Sequence, residues 1–159
     1  MSHARKEYSD FQTLTPDAYQ AVLTLGGFAA KAGIDKQLLE LIKLRASQIN
    51  GCAFCVQYHI LQAERLGVPA DKLNLVVVWR EAPQFSARER AALAWTEALT
   101  QLEGGVGDEV YEQARAEFSD RELTYLTSAV ASINVWNRFG VAYRWTPPGR
   151  QKQTGAAAS

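Results

Sequence analysis

Glu40, Cys52, Cys55 and His59 are the residues of this 159-residue chain whose types and spacing could do chemistry. The chain's two cysteines form a Cys-x-x-C pair; His59 follows Cys55 by four residues, and Glu40 precedes Cys52 by twelve. On a helix, Cys52, Cys55 and His59 recur at i, i+3 and i+7 and so project from one face. Asn50-Gly51 is a break signal that ends one helix and lets another begin at the first cysteine. Glu40 then sits about three turns back, at ~3.6 residues per turn, on a helix that folds against the cysteine helix. A carboxylate, two thiols and an imidazole meet in one small volume. In outline this is a redox site.

The elements that must position these groups read as helices throughout. Residues 1–14 form a polar lead-in whose Tyr8 and Phe11 could dock on the body. Thr15-Pro16 marks a helix start, and the helix that follows contains Gly26-Gly27, at a cost of about 1 kcal/mol per glycine relative to alanine. Close approach of another backbone, or a local kink, would account for them. A second helix spans about Asp35 to Ile49, with Leu38, Leu41, Ile42 and Ile49 on a buried stripe. Glu40 and Lys43 flank that stripe and Arg45 interrupts it, most simply as a rim residue paired with a carboxylate. The cysteine helix ends at Gly67. A short helix, ADKLNLVVVW, follows; its valine run has β character by propensity. Ser86-Ala-Arg-Glu89 and Ser119-Asp-Arg-Glu122 are capping boxes that open two strong helices, with DEVYEQARAEF between them. The last helix extends toward Tyr143, and Pro147-Pro148-Gly149 ends the fold. The expectation is an all-α domain of six or seven helices over residues 15–146, with 147–159 as a flexible tail.

Composition bounds the function classes. Hydrophobic residues at 47% and charged residues at 21% are ordinary for one globular domain with a real core. Lys+Arg and Asp+Glu both total 17, so no net field favours nucleic acid or an anionic membrane. Near-zero net charge mildly favours oligomers. No run reaches the ~20 apolar residues of a membrane span, and the first residues lack the apolar core of a secretion signal. A cytoplasmic location is expected, where a Cys-x-x-C is more often catalytic or metal-binding than a structural cross-link.

Laid out in this way, the sequence resembles the AhpD-like, or carboxymuconolactone decarboxylase-type, alkylhydroperoxidases. The resemblance rests on the Glu40–Cys52–Cys55–His59 spacing, on KLRASQINGCAFCVQYH, on WREAPQFSARERAALAWTEALT and on INVWNRFG, and it covers roughly residues 16–145. It implies an all-helical fold that assembles as trimers or hexamers, and thiol peroxidase chemistry without metal or prosthetic group. Carried over residue by residue, Cys55 would attack the peroxide, Cys52 would resolve the product, and Glu40 with His59 would form a proton relay. The reductant would be an external dithiol, either a protein or a lipoyl-type carrier. One departure stands out. The better-studied members have a histidine immediately before the second cysteine, where this chain has Phe54, so the rate and the reducing partner need not carry over. The decarboxylase branch lacks the cysteine pair, which disfavours lactone decarboxylation here.

The residue types suit that chemistry. Only a thiolate attacks an O–O bond, and an ordinary cysteine, with a pKa near ~8.5, is mostly protonated at neutral pH. A helix N-terminus stabilises negative charge on both cysteines, and His59 one turn below Cys55 can take a proton. Glu40 can orient the imidazole, as a third group does in a triad. The helix dipole favours Cys52 as the attacking thiol, whereas the i+4 histidine and the resemblance favour Cys55. Tyr58, Phe54 and the tryptophans could line an apolar pocket or simply be core. Two rivals stand beside the peroxidase. One is a zinc site, against which three of the four groups lie within two helical turns instead of in two separated pairs. The other is a dithiol–disulfide oxidoreductase or redox-sensing helical oligomer without fast peroxide turnover.

Overall fold

The structure, a computed structural model, describes residues 4–149. Among them are eight α-helices, α1 (Tyr8–Leu14), α2 (Pro16–Lys31), α3 (Lys36–Asn50), α4 (Ala53–Arg65), α5 (Ala70–Leu75), α6 (Ala87–Thr100), α7 (Asp108–Glu117) and α8 (Asp120–Tyr143). No described residue is in a strand, so the all-α expectation holds. The helix count exceeds the six or seven expected because part of the polar lead-in is helical. Its start is capped by Glu7 and Asp10 acting reciprocally, an acidic version of the capping box that lacks the usual Ser or Thr signature. Phe11 from this helix is buried and Tyr8 stacks on Phe54, so both aromatics dock as anticipated. The expected flexible tail lies, from residue 150 on, outside the described residues.

α3 is the central element. Leu39, Leu41, Ile42, Leu44 and Ala46 on it are fully buried, with α4, α6 and α8 packed around them. One apolar cluster joins α3 to α2, α6, α7 and α8 through Ile42, Ala29, Ala92, Phe118 and Leu126. A second joins α3 to α4, α5 and the loop before α6 through Leu41, Ala63, Leu73, Trp79 and Phe85. The valine run settles the conflict between β propensity and helical context as a 3-10 turn, Val76–Val78. The loop after it is gathered by Arg90, which donates to the carbonyls of Trp79, Arg80, Ala82 and Phe85.

The two capping boxes form as read, with Ser86 and Ser119 each accepting from the N–H of the glutamate three residues on. Arg45 is a rim residue, donating to Glu97, which also accepts from Trp79 and Arg80. Of the glycine pair in α2, Gly26 lies where a Cβ would come 2.8 Å from Ser132 Oγ, and that hydroxyl bonds Val22 O. A side chain of α8, not another backbone, makes the close approach. Gly27 has open space beside it.

Candidate functional site

The site forms where α3 ends and α4 begins. Gly51 caps α3 with a left-handed φ of 69°, a conformation glycine adopts without strain. The Cys52 N–H bonds back to Ser47 O, and the chain turns straight into α4 with Cys52 as its N-cap. Cys52 Sγ accepts the Cys55 N–H at 3.2 Å, the role a Ser or Asp oxygen usually plays there. The two cysteines are joined as a disulfide, with Cα atoms 5.3 Å apart, within the usual range for such bonds. Both are almost completely buried.

The α3–α4 junction is held to α8 by a polar network. Asn50 Nδ2 donates to Asn134 and Asn137, both at 2.9 Å, and Asn137 Nδ2 donates to Ser47 Oγ. Ser47 in turn bonds Lys43 O. Ser47 and Asn137 are buried, Asn50 and Asn134 partly so, and each of these groups has a partner.

His59 lies one turn below Cys55 on α4, and its Nδ1 is 2.7 Å from Glu40 Oε2 on α3. Lys43, three residues after Glu40, bonds the other carboxylate oxygen at 2.9 Å. Burial by itself would raise the Glu40 carboxyl, but the His59 hydrogen bond and the His59 and Lys43 charges outweigh it and hold Glu40 below its ordinary value. For His59 burial is the largest influence and holds the imidazole below its ordinary 6.5, despite Glu40. The pair therefore rests at neutral pH as carboxylate and neutral imidazole. Nδ1 then carries the proton and donates it to Glu40, which leaves Nε2 bare as a base. The structure pairs Glu40 with His59 and Cys52 with Cys55, with His59 one turn from Cys55 on α4. Lys43 is an addition to the site: it flanks the buried stripe of α3, and its i+3 spacing from Glu40 is a usable signal.

A cavity of about 290 Å³ opens onto this group. Cys55, His59, Glu40 and Lys43 line it, and Cys52 does not. Its remaining walls are mainly apolar: Val22, Leu23 and Gly27 of α2, Phe54 and Tyr58 of α4, Trp136 of α8, Trp145 beyond it, and Tyr8 of α1. Phe54 lies between Tyr8 and Tyr58, with ring centroids 5.0 and 6.0 Å away. Burial pushes the Tyr8 and Tyr58 phenols above their ordinary 10.0, so both stay protonated. The choice between pocket and core thus divides by residue. Phe54, Tyr58, Trp136 and Trp145 line the cavity, whereas Trp79 and Trp95 are core. Tyr8 and Trp145 reach the site from opposite ends of the fold, and no local pattern signals that. Among the described residues no group of three or more His, Cys, Asp or Glu is arranged to hold a metal ion.

The chain is similar to other proteins in sequence and in fold. The uncharacterized protein YdfG of Bacillus subtilis is 29% identical over 133 residues, spanning 83% of this chain and 90% of its own. A crystal structure from Agrobacterium tumefaciens, of a protein of unknown function proposed to be the antioxidant defence protein AhpD, superposes with a TM-score of 0.85. It is 38% identical and covers 93% of this chain and 100% of its own. The debrominase Bmp8 superposes with a TM-score of 0.78 at 20% identity, covering 86% of this chain and 74% of its own, a likeness of fold alone. The sequence pattern of one family matches residues 16–98, from the first residue of α2 into α6. That span contains Glu40, Cys52, Cys55 and His59 with the helices that bring them together, and by it the chain belongs to the carboxymuconolactone decarboxylase family.

Proposed function

We propose that this protein is a thiol-dependent peroxidase that reduces organic hydroperoxides or hydrogen peroxide through a Cys52/Cys55 dithiol–disulfide cycle. The observation that carries the reading is a closed Cys52–Cys55 pair whose Cys55 faces an apolar cavity beside an ordered Glu40–His59 dyad. The family and the likeness to an AhpD-type antioxidant protein support the same class of chemistry.

In the reduced protein, His59 Nε2 takes the Cys55 thiol proton while Glu40, braced by Lys43, stabilises the imidazolium that results. The Cys55 thiolate attacks one peroxide oxygen; the S–O bond forms as the O–O bond breaks. The departing alkoxide takes the proton from His59 and leaves as alcohol, or as water when the substrate is hydrogen peroxide. The Cys52 thiol then attacks the sulfenic acid sulfur, and water leaves as the disulfide closes. An external dithiol, a protein or a lipoyl-type carrier, returns the two electrons by exchange through a mixed disulfide. No resident cofactor takes part, and the cycle belongs in a reducing compartment such as the cytoplasm.

Phe54 favours a second reading. Lying between the cysteines in sequence, it lines the cavity with a hydrocarbon ring and supplies no second proton-transfer group there, as suits a slower dithiol–disulfide oxidoreductase or redox sensor. One experiment separates the two. Reduced, metal-free protein is mixed with one equivalent of cumene hydroperoxide and followed by stopped flow and intact mass. A peroxidase loses two thiols and two hydrogens far faster than a free thiol reacts, whereas oxidation at the free-thiol rate assigns the site to the second reading. Cys55→Ser abolishes peroxide consumption, and Cys52→Ser allows one turnover that leaves a sulfenic acid on Cys55. If the two variants behave the other way round, the roles of the cysteines are exchanged.

A further inference from the structure

Gly140 has no function in the scheme above, yet both sulfurs rest on it. A Cβ built there would lie 2.5 Å from Cys52 Sγ, 3.3 Å from Cys55 Sγ and 3.5 Å from the Trp145 ring. The residue is buried inside α8, and its φ is not positive, so the backbone does not require glycine. In a helix interior glycine costs about 1 kcal/mol relative to alanine. Only the approach of sulfur accounts for it. The Trp145 backbone N–H donates to Gly140 O at 3.1 Å, and the indole ring closes the notch from the side.

We infer that Gly140 is a positioning residue for disulfide closure: its missing side chain is the space that Cys52 Sγ occupies when it bonds Cys55. The inference rests on the dithiol–disulfide reading but not on peroxide as oxidant. Cys52 is nearer the notch than Cys55, and it does not line the cavity. Cys55 receives oxidant from the open side while α8 holds Cys52 from behind. A methyl group at position 140 overlaps Cys52 Sγ in the disulfide. The dithiol relieves that overlap by turning Cys52 about χ1 to another staggered position. The substitution therefore acts against the closed state and against the approach to it.

The test is Gly140→Ala, read in two ways. Equilibration of the pair with dithiothreitol of fixed redox ratio gives the closure constant without any peroxide. We expect it to fall at least about tenfold, equivalent to a midpoint about 30 mV less negative. With excess cumene hydroperoxide, closure slows by up to about 10²-fold, the usual scale for a misplacement of about 1 Å. Cys55 then gains two oxygen atoms as sulfinic acid, whereas the parent protein gives disulfide. An unchanged closure constant and no sulfinic product would overturn the proposal. If Gly140→Ala does not fold, the Cys52→Ala/Gly140→Ala double variant decides, because the overlapping sulfur is gone. Its folding supports the assignment, and failure of both variants refutes it. Should the parent protein react with peroxide only at the free-thiol rate, the peroxidase reading fails while the dithiothreitol measurement still tests Gly140.

Discussion

His59 owes its neutral imidazole to burial, and that has a consequence for stability. As pH falls past its ordinary 6.5, the unfolded chain takes up a proton on this histidine while the folded chain resists. Stability therefore declines on acidification from that point downward. Glu40 adds a loss of the same sign below its ordinary 4.5, because the folded carboxylate, held low by His59 and Lys43, resists the proton that the unfolded one accepts. Urea unfolding at about pH 7.5 and about pH 5.5 should show the parent losing up to about 1.4 kcal/mol on this account. His59→Gln, which keeps an N–H donor for Glu40, should remove most of that difference; an equal loss in both proteins would mean that His59 takes up its proton alike in the folded and unfolded chains. The sequence made this dyad legible through residue type and spacing, because helical periodicity converts i+3, i+4 and i+7 directly into direction. It did not make Gly140 legible. What glycine does there depends on which atom of a distant helix comes near, and no local rule carries that.

α8 brings three duties together: it is the scaffold for the α3–α4 junction, one wall of the cavity and the floor beneath the sulfurs. Its boundaries were readable from the Ser119 capping box and the apolar face. Its polar residues were not, since Asn134 and Asn137 take their meaning from Asn50 and Ser47, more than 80 residues away in sequence. Asn137 is 1% exposed and both accepts from Asn50 and donates to Ser47. Asn137→Ala should therefore cost about 1–3 kcal/mol, at about 0.5–1.5 kcal/mol for each of the two hydrogen bonds lost. Asn50 keeps Asn134 and Ser47 keeps Lys43 O, and the loss is measured as a shift of the urea midpoint at constant slope. A change within experimental error would show that water replaces the amide. The valine run after α5 is the opposite case. There local preference pointed to a strand, and packing of Val76 into the core against α3 imposed a tight helical turn instead.

The two ends of the described fold meet beside the cavity. Glu7 accepts from both the N–H and the hydroxyl of Thr146, at 2.9 Å each, and Arg5 donates to Ala142 O. This clasp holds Tyr8 and Trp145 against Phe54. Glu7→Ala should loosen it and speed reduction of the disulfide by a bulky protein dithiol several-fold, with little change for dithiothreitol. Equal effects on both reductants would show that the clasp does not gate access. All-helical architecture was legible from the apolar stripes and caps, because such helices must bury one face against others. The clasp was not, since it joins positions 139 residues apart. The Cys52–Cys55 bond, in contrast, spans a separation of only three. So short a loop has little chain entropy to release when it opens. Opening the bond therefore frees little of the surrounding frame, and a change between disulfide and dithiol would be confined largely to two sulfur atoms.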